Sequence, residues 1–157
     1  MRLSKMKRAY LMLLCLLAMW SSIRARQIEF EDCGSEAEVK SVEVDPCDNP
    51  KVCTLYAGSI VRANVTFVPA NDVHSLTLRA YAILGKASLA LPMTDNDACK
   101  KSGIKCPLKS GSLAVYQKRL AIPSSVPEMS AGLRTELRDQ KQRKVLCIKT
   151  NIRLASE

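Results

Sequence analysis

Cysteine and histidine are the residue types in this chain that most readily bind metal or act as nucleophile and base. Cys47 and Cys53 form the closest cysteine pair. Cys99 and Cys106 come next, and both pairs are wider than the C-x2-C spacing of a typical zinc site. The only histidine, His74, lies in the turn sequence PANDVHS. The sequence therefore predicts no metal site, and it lacks the parts of a Ser-His-Asp or Cys-His catalytic arrangement.

Carboxylates and phosphate-binding loops are the remaining candidates for catalysis. Asp95 and Asp97 are close together in TDNDAC, but two acids in a polar turn are ordinarily turn formers and not the paired acids of a glycosidase. The lysine-rich stretch KKSGIK (100–105) lacks the G-x-x-x-x-G-K-[ST] pattern of a nucleotide-binding loop. We therefore predict a protein that is not an enzyme, has no catalytic residues and needs no cofactor.

The first 25 residues have the layout of a secretory signal peptide. Four basic residues within positions 1–8 precede twelve apolar residues at 9–20, fewer than the roughly 20 that a membrane span needs. We predict cleavage near Ala25, so that residues 1–25 form the signal peptide and residues 26–157 form a single domain. The protein is expected to be secreted, with the extracellular fluid and the lysosome both left open as its place of action.

Removal of this segment changes the electrostatic balance of the chain. Residues 1–25 carry five of the 24 basic groups and none of the 15 acidic groups, so the remaining 19 bases and 15 acids give +4 instead of +9. Only five aromatic residues and no tryptophan remain. Both features argue against nucleic acid as a partner, because its recognition uses strong basic patches and stacking aromatic side chains.

Six cysteines remain after residue 25, since Cys15 belongs to the predicted signal peptide. An even number of cysteines in a secreted chain predicts three disulfides. Many pairings of six cysteines exist, and the sequence by itself does not select one of them.

Apolar residues alternate with a period of two, which is typical of β-strands with one buried face. In SIVRANVTFV (59–68) every second residue from Val61 to Phe67 is apolar. Residues 129–138 follow the same pattern, with Arg134 and Glu136 on the wet face. Residues 146–154 form a third clear strand, and weaker strands are predicted at 28–30, 39–44, 76–83, 87–91 and 113–122. No stretch sustains an amphipathic helix.

Seven or eight short strands separated by turn residues predict an all-β fold, an immunoglobulin-like sandwich of two antiparallel sheets. A closed barrel is the alternative on periodicity alone.

We interpret the charged run RDQKQRK (138–144) as a solvated hairpin loop. NVT (64–66) is the only glycosylation sequon, and alternation turns Asn64 towards solvent, so we expect a glycan there.

The cysteines and their neighbours resemble those of a known family. The segments concerned are FEDCGS (30–35), VDPC (44–47) with a second cysteine six residues later, NVTF (64–67), DACKKSGIKCPL (97–108) and a lone cysteine in the last strand. From about residue 28 to residue 152, the chain resembles the ML lipid-recognition domain family. Within it the resemblance is greatest to the Niemann-Pick type C2 sterol carriers, with the group 2 mite allergens as nearby relatives.

This resemblance implies three disulfides, which are Cys33–Cys147, Cys47–Cys53 and Cys99–Cys106. CKKSGIKC is then a disulfide-closed surface loop in which Gly103 permits the turn and Pro107 fixes the exit. The resemblance also implies an apolar cavity between the two sheets, which part enough to admit an acyl chain or a sterol.

The resemblance further implies which residues contact the lipid. The positions at the cavity mouth are Leu91, Pro92, Ile122 and Val126, the inward tyrosine is Tyr116, and the wall positions are Val44, Leu120 and Leu133. A wall of this aliphatic kind fits a flexible acyl chain as well as a sterol, and we expect a sterol first, followed by a fatty acid or a phospholipid.

These expectations together describe a secreted, monomeric carrier that exchanges one lipid with membranes or with a membrane acceptor protein. Lysines in loops would steer it to transient contact with anionic membranes; they are Lys86, Lys100, Lys101 and Lys105. The alternative is a secreted recognition module of innate immunity, which binds a microbial lipid or a receptor and has no transport role.

Overall fold

A computed structural model describes residues 25–156 of the chain. Within this range the backbone forms ten strands and no helix. The strands are β1 (Arg26–Gln27), β2 (Glu31–Asp32), β3 (Glu38–Asp45), β4 (Cys53–Tyr56), β5 (Ile60–Val68), β6 (Thr77–Leu84), β7 (Ala87–Ala90), β8 (Ala114–Ala121), β9 (Met129–Arg138) and β10 (Lys144–Ala155). Apart from Ala25, the predicted signal peptide lies outside the described residues. No helix that could span a membrane occurs among the residues described.

The strands form two sheets. Sheet 1 has the order β1-β3-β5-β8, and sheet 2 has the order β2-β10-β9-β6-β7 with β4 joined to β10. Every pair is antiparallel except β4 with β10. In residues 25–156 no strand pairing joins one sheet to the other. The predicted all-β sandwich is therefore confirmed, and the closed barrel is wrong.

The strand predictions differ from the structure mainly in two places. Residues 28–30 do not form a strand; they carry the chain across from β1 in sheet 1 to β2 in sheet 2. The Ile28 N–H donates to the Val42 carbonyl at 2.9 Å, and no regular ladder follows. The second difference is β4, a strand that was not predicted from the sequence. Only Cys53 and Leu55 are buried in it. Two buried positions are too short a pattern for the sequence to indicate a strand.

Inward side chains from both sheets form the core, and their size changes along the strands. Phe67, Leu137 and Leu146 are completely buried, and each such side chain contributes about 1.5–3 kcal/mol through burial. Farther along the same sheets the inward-facing side chains are small, as at Ala63 in β5 and Ala80 in β6. Since small side chains cannot fill the space between two sheets, the sandwich is packed at one end and leaves a gap beyond it.

Three disulfides close the described chain, in the pairing that the resemblance implies. They are Cys33–Cys147, Cys47–Cys53 and Cys99–Cys106, with sequence separations of 114, 6 and 7. The longest of them ties the segment after β2 to β10, so it joins the two ends of the domain.

The Cys99–Cys106 loop packs against β8, the edge strand of sheet 1. The Gln117 N–H donates to the Ser102 carbonyl at 2.7 Å, and Ser102 and Ile104 are buried. Gly103 has a φ of +76°, and a Cβ there would lie 3.2 Å from the Val115 carbonyl oxygen. Glycine therefore allows both the turn and the close approach, and the loop covers a sheet edge that would otherwise be exposed.

Two acidic side chains are buried where the sequence predicts exposure. Glu136 lies on the outer face of β9, but it is only 2% exposed because Arg134 and Arg138 flank it at 3.3 and 2.7 Å. Asp139 begins the hairpin between β9 and β10, and Arg143 binds it at 2.7 Å. The predictions of a wet face and of a solvated loop are wrong at these positions, because paired and hydrogen-bonded charges can be buried.

Candidate functional site

An apolar cavity lies between the two sheets, where the inward side chains are small. Its volume is about 130 Å³. Strands β3, β5 and β8 of sheet 1 form one wall, and β6, β9 and β10 of sheet 2 form the other. The lining residues are Ile28, Val42, Val44, Ala63, Val65, Leu78, Ala80, Leu91, Met93, Tyr116, Lys118, Leu120, Leu133, Thr135, Ile148 and Thr150.

Five of the eight residues that the resemblance assigns to lipid contact line this cavity: Val44, Leu91, Tyr116, Leu120 and Leu133. The structure places the other three outside the lining. Pro92 is exposed beside Leu91. Ile122 lies beyond the end of β8, where its N–H donates to the Ser59 carbonyl at 2.9 Å, and Val126 is half-buried in the loop before β9. Ile122 packs against the core outside the cavity lining, whereas Val126 lies in a loop, where strand alternation does not apply.

The small residues that leave space for the cavity were not identified from the sequence. Lys118, the charged residue in the cavity wall, was not identified from it either. Ala63, Ala80 and Thr135 come from three different strands, and nothing in the sequence indicates that these small side chains meet. Lys118 is different, because it lies between Tyr116 and Leu120 in β8. A period of two directs it to the same side as those neighbours, so alternation alone was a sufficient signal.

Leu91 is the only exposed residue among the described residues that line the cavity, so we place the cavity mouth between β8 and the segment of residues 91–98. This segment is fixed to β6, since the Leu91 N–H donates to the Ala80 carbonyl at 2.9 Å. Leu91 is 38% exposed and forms an apolar lip. Across the opening, Lys118 Nζ donates to the Asp95 carbonyl oxygen at 2.9 Å. One side of the mouth is therefore aliphatic, and the other carries a positive charge.

Tyr116 adds a polar but neutral group to the wall. Its side chain is buried, at 4% exposure, and lines the cavity. Burial and, to a smaller extent, the negative charge of Asp95 raise the pKa of Tyr116 to about 12. The phenol therefore stays protonated at neutral pH and offers an O–H donor.

The other groups considered for chemistry do not form a reactive site. Among residues 25–156, no group of three His, Cys, Asp or Glu side chains is placed to hold a metal ion. Hydrogen bonds from the Lys100 ammonium at 2.9 Å and the Cys99 N–H at 3.0 Å lower the pKa of Asp97. A general acid needs the opposite shift. His74 is exposed, and its backbone N–H donates to Gln140 Oε1 at 3.0 Å.

Two larger grooves lie outside the sandwich and have charged walls. A groove of about 510 Å³ at sheet 2 contains the ion pair of Lys149 with Glu31, at 2.8 Å. Another of about 520 Å³ at sheet 1 is bordered by Arg62, Lys101 and Arg119. Charged groups lose hydration against an apolar molecule, so the cavity between the sheets is the better candidate for an apolar ligand.

Known proteins are similar to this chain over both sheets and the cavity. The family model of the ML domain matches residues 27–154. NPC intracellular cholesterol transporter 2 of Mus musculus is 29% identical over 142 residues, which is 90% of this chain and 94% of that protein. The ecdysteroid-regulated 16 kDa protein of Manduca sexta is 32% identical over 121 residues, covering 76% and 83%. The crystal structure of a Niemann-Pick type C2 protein from Japanese carpenter ant superposes with a TM-score of 0.77 at 28% identity, covering 82% of this chain and 100% of that one.

Proposed function

This chain belongs to the ML domain family, and on that premise we propose that it carries one apolar lipid, a sterol or a fatty acyl chain, between its two sheets. The wall of the cavity supports this most directly, because twelve of its sixteen lining residues are Ala, Val, Leu, Ile or Met. The mouse relative is named as a cholesterol transporter. The mouse and Manduca sexta relatives are not named as enzymes, and no catalytic step is part of the proposal.

Burial of apolar surface provides the free energy of binding in this proposal, at about 25 cal/mol per Å². An unfilled apolar gap costs about 24 cal/mol per Å³. Filling 130 Å³ would therefore recover about 3 kcal/mol. Ligand pockets usually measure about 300–1,000 Å³, so a lipid must move the sheets apart near the mouth. A single acyl chain needs less separation than the fused rings of a sterol.

Mass spectrometry of lipid extracted from the protein after secretion by eukaryotic cells tests this function. A Leu91→Trp variant places an indole at the mouth, and Leu89→Trp is its matched control. Both leucines are exposed, at 38% and 54%, but only Leu91 lines the cavity. We expect one lipid per chain in the unmodified protein and in Leu89→Trp. Leu91→Trp should retain about tenfold less, because overpacking typically costs 1–3 kcal/mol.

Two results would contradict the carrier function. In the first, the unmodified protein contains no lipid and takes up neither added sterol nor added fatty acid, which would direct attention to protein partners. In the second, all three proteins contain the same amount of lipid, which would place the lipid outside the cavity. The identity of the extracted lipid also decides between a sterol and an acyl chain.

The proposal extends to where the protein acts. We propose a secreted monomer that exchanges its lipid with membranes or with a membrane acceptor protein, outside cells or in lysosomes. Its support is the predicted signal peptide at residues 1–25, together with three disulfides, which persist in oxidising compartments. The exposed lysines at positions 86, 100, 101 and 105 would favour transient contact with anionic membranes.

Asn64 is the proposed site of an N-linked glycan. It is half-buried on the outer face of β5 and borders the solvent-facing groove at sheet 1. Protein secreted by eukaryotic cells should lose mass on treatment with an N-glycosidase. Thr66→Val should abolish the loss because it destroys the sequon, whereas Thr66→Ser keeps the sequon and should preserve it. An unmodified protein whose intact mass equals that of its polypeptide would show that Asn64 carries no glycan.

A further inference from the structure

Among residues 25–156, Lys118 is the only charged side chain in the cavity wall. It lies in β8 between Tyr116 and Leu120, and alternation directs all three towards the interior of the sandwich. Lys118 is half-buried and also borders the solvent-facing groove at sheet 1. It therefore stands where the apolar cavity meets water, the position that the polar end of an enclosed lipid would occupy.

The Lys118 ammonium makes no direct ion pair with a described side chain, although Asp45 and Asp95 border the same groove. In the part of the chain that the structure describes, no carboxylate oxygen lies within 4 Å of Lys118 Nζ. Its partner is the neutral Asp95 carbonyl oxygen, at 2.9 Å. An ammonium has three donors, so two are left for a ligand. The Tyr116 hydroxyl is a further donor in the same wall.

We propose that Lys118, assisted by the Tyr116 hydroxyl, binds the carboxylate of a fatty acid whose acyl chain fills the cavity. This inference rests on the proposed carrier function and specifies the class of lipid. A carboxylate accepts charge-assisted hydrogen bonds from an ammonium and neutralises it at the edge of an apolar space. A sterol presents only a neutral hydroxyl, which leaves Lys118 without a direct ion pair. A single acyl chain also requires less separation of the sheets around the gap of about 130 Å³ than a sterol does.

Oleate and oleyl alcohol separate the contribution of the head group from that of the chain, because they share one hydrocarbon tail. Their affinities for the delipidated, secreted protein can be measured by isothermal titration calorimetry at pH 7.4, where a carboxylate is ionised. We expect oleate to bind about tenfold more tightly than oleyl alcohol, the size of effect that one hydrogen bond to a charged group produces.

Three variants locate the origin of this preference. Lys118→Met keeps an unbranched side chain but removes the charge, so oleate should lose about tenfold in affinity and oleyl alcohol should be unaffected. Lys118→Arg keeps the charge and should retain the preference for oleate. Arg119→Met is the matched control, because Arg119 is exposed and its loss changes the net charge equally. It should leave both affinities unchanged.

Several results would overturn the inference. Equal affinities of the unmodified protein for oleate and oleyl alcohol would exclude a carboxylate site while leaving the carrier function intact. If Lys118→Met and Arg119→Met lose the same oleate affinity, the preference for oleate comes from long-range electrostatic attraction and not from a contact with Lys118. A loss of both lipids in Lys118→Met would mean that Lys118 only holds the mouth together. If the unmodified protein binds neither lipid, the carrier function itself is wrong.

Discussion

A variant with alanine at both Cys33 and Cys147 is expected to lose about 5 kcal/mol of unfolding free energy. The disulfide spans 114 positions, and its removal returns a large conformational entropy to the unfolded chain. Cys147 is also completely buried, so truncation leaves a void. Since domains have about 5–15 kcal/mol of stability in total, the variant should be close to unfolding at room temperature. Urea unfolding followed by circular dichroism measures the loss.

The Cys47–Cys53 disulfide provides the matched control for this prediction. Its Cα atoms are 5.0 Å apart, as they are in the long disulfide, and Cys53 is nearly as buried as Cys147. Its separation is only 6 positions, so its replacement by two alanines should cost about 2 kcal/mol. Equal losses in the two variants would show that packing around the sulfur atoms, and not loop length, determines the contribution.

An Asp139→Asn variant is expected to lose about 3 kcal/mol of unfolding free energy at pH 7. The Asp139 side chain is fully buried. Its carboxylate accepts hydrogen bonds from the backbone N–H groups of Lys141 and Arg143 and from Arg143 Nε, at 2.8, 2.9 and 2.8 Å. An amide removes the negative charge and directs N–H donors at the guanidinium. Urea unfolding at pH 7 measures the difference.

The unfolding free energies of the unmodified protein and of Asp139→Asn should depend differently on pH. Burial alone would raise the pKa of Asp139, but the hydrogen bonds and charge of Arg143 and the Lys141 N–H outweigh burial and lower it. A carboxyl whose pKa is lowered by folding stabilises the native state above its unfolded pKa, which is about 3.9. That stabilisation is lost as the pH falls through the lower, folded pKa. The difference in unfolding free energy between the two proteins should therefore decrease below about pH 4.

Asp72→Asn is the control for the role of burial. Asp72 also accepts a backbone N–H, from Ser110 at 2.9 Å, and pairs with Lys109 at 2.9 Å, but its carboxylate is exposed. Water replaces the lost contacts at an exposed site, so this variant should be much less affected than Asp139→Asn. If the difference in unfolding free energy between the unmodified protein and Asp139→Asn stays constant down to pH 3, the assignment of a lowered pKa to Asp139 is wrong.

Most of the strand pattern could be predicted from the sequence, because side chains in a strand alternate between two faces. The alternation from Val61 to Phe67 agrees with the burial of β5, and the predicted boundaries of β8 and β9 are within one residue of those observed. The failures have a local cause. β4 is too short to show a period, and Glu136 and Asp139 are buried through partners that alternation does not reveal.

The candidate site was predictable only in part. Tyr116 and Leu120 lie within a strand, and the structure places both in the cavity wall. Ile122 packs against the core outside the cavity lining, whereas Val126 lies in a loop, so its direction does not depend on a period. Lys118 was predictable from alternation, yet a lysine in an apolar row is easily taken for a solvent-facing residue.

The sequence by itself determined an all-β chain with six cysteines after residue 25, the apolar face of each long strand, and the resemblance to the ML domain family. These are properties of local periodicity and of residue order. Only the tertiary structure decided where the space for a ligand lies, because the gap exists where Ala63 and Ala80, from opposite sheets, face the same interior. Only the tertiary structure brought Lys118 to the Asp95 carbonyl at the mouth, since that contact depends on how a loop from sheet 2 crosses the edge of sheet 1.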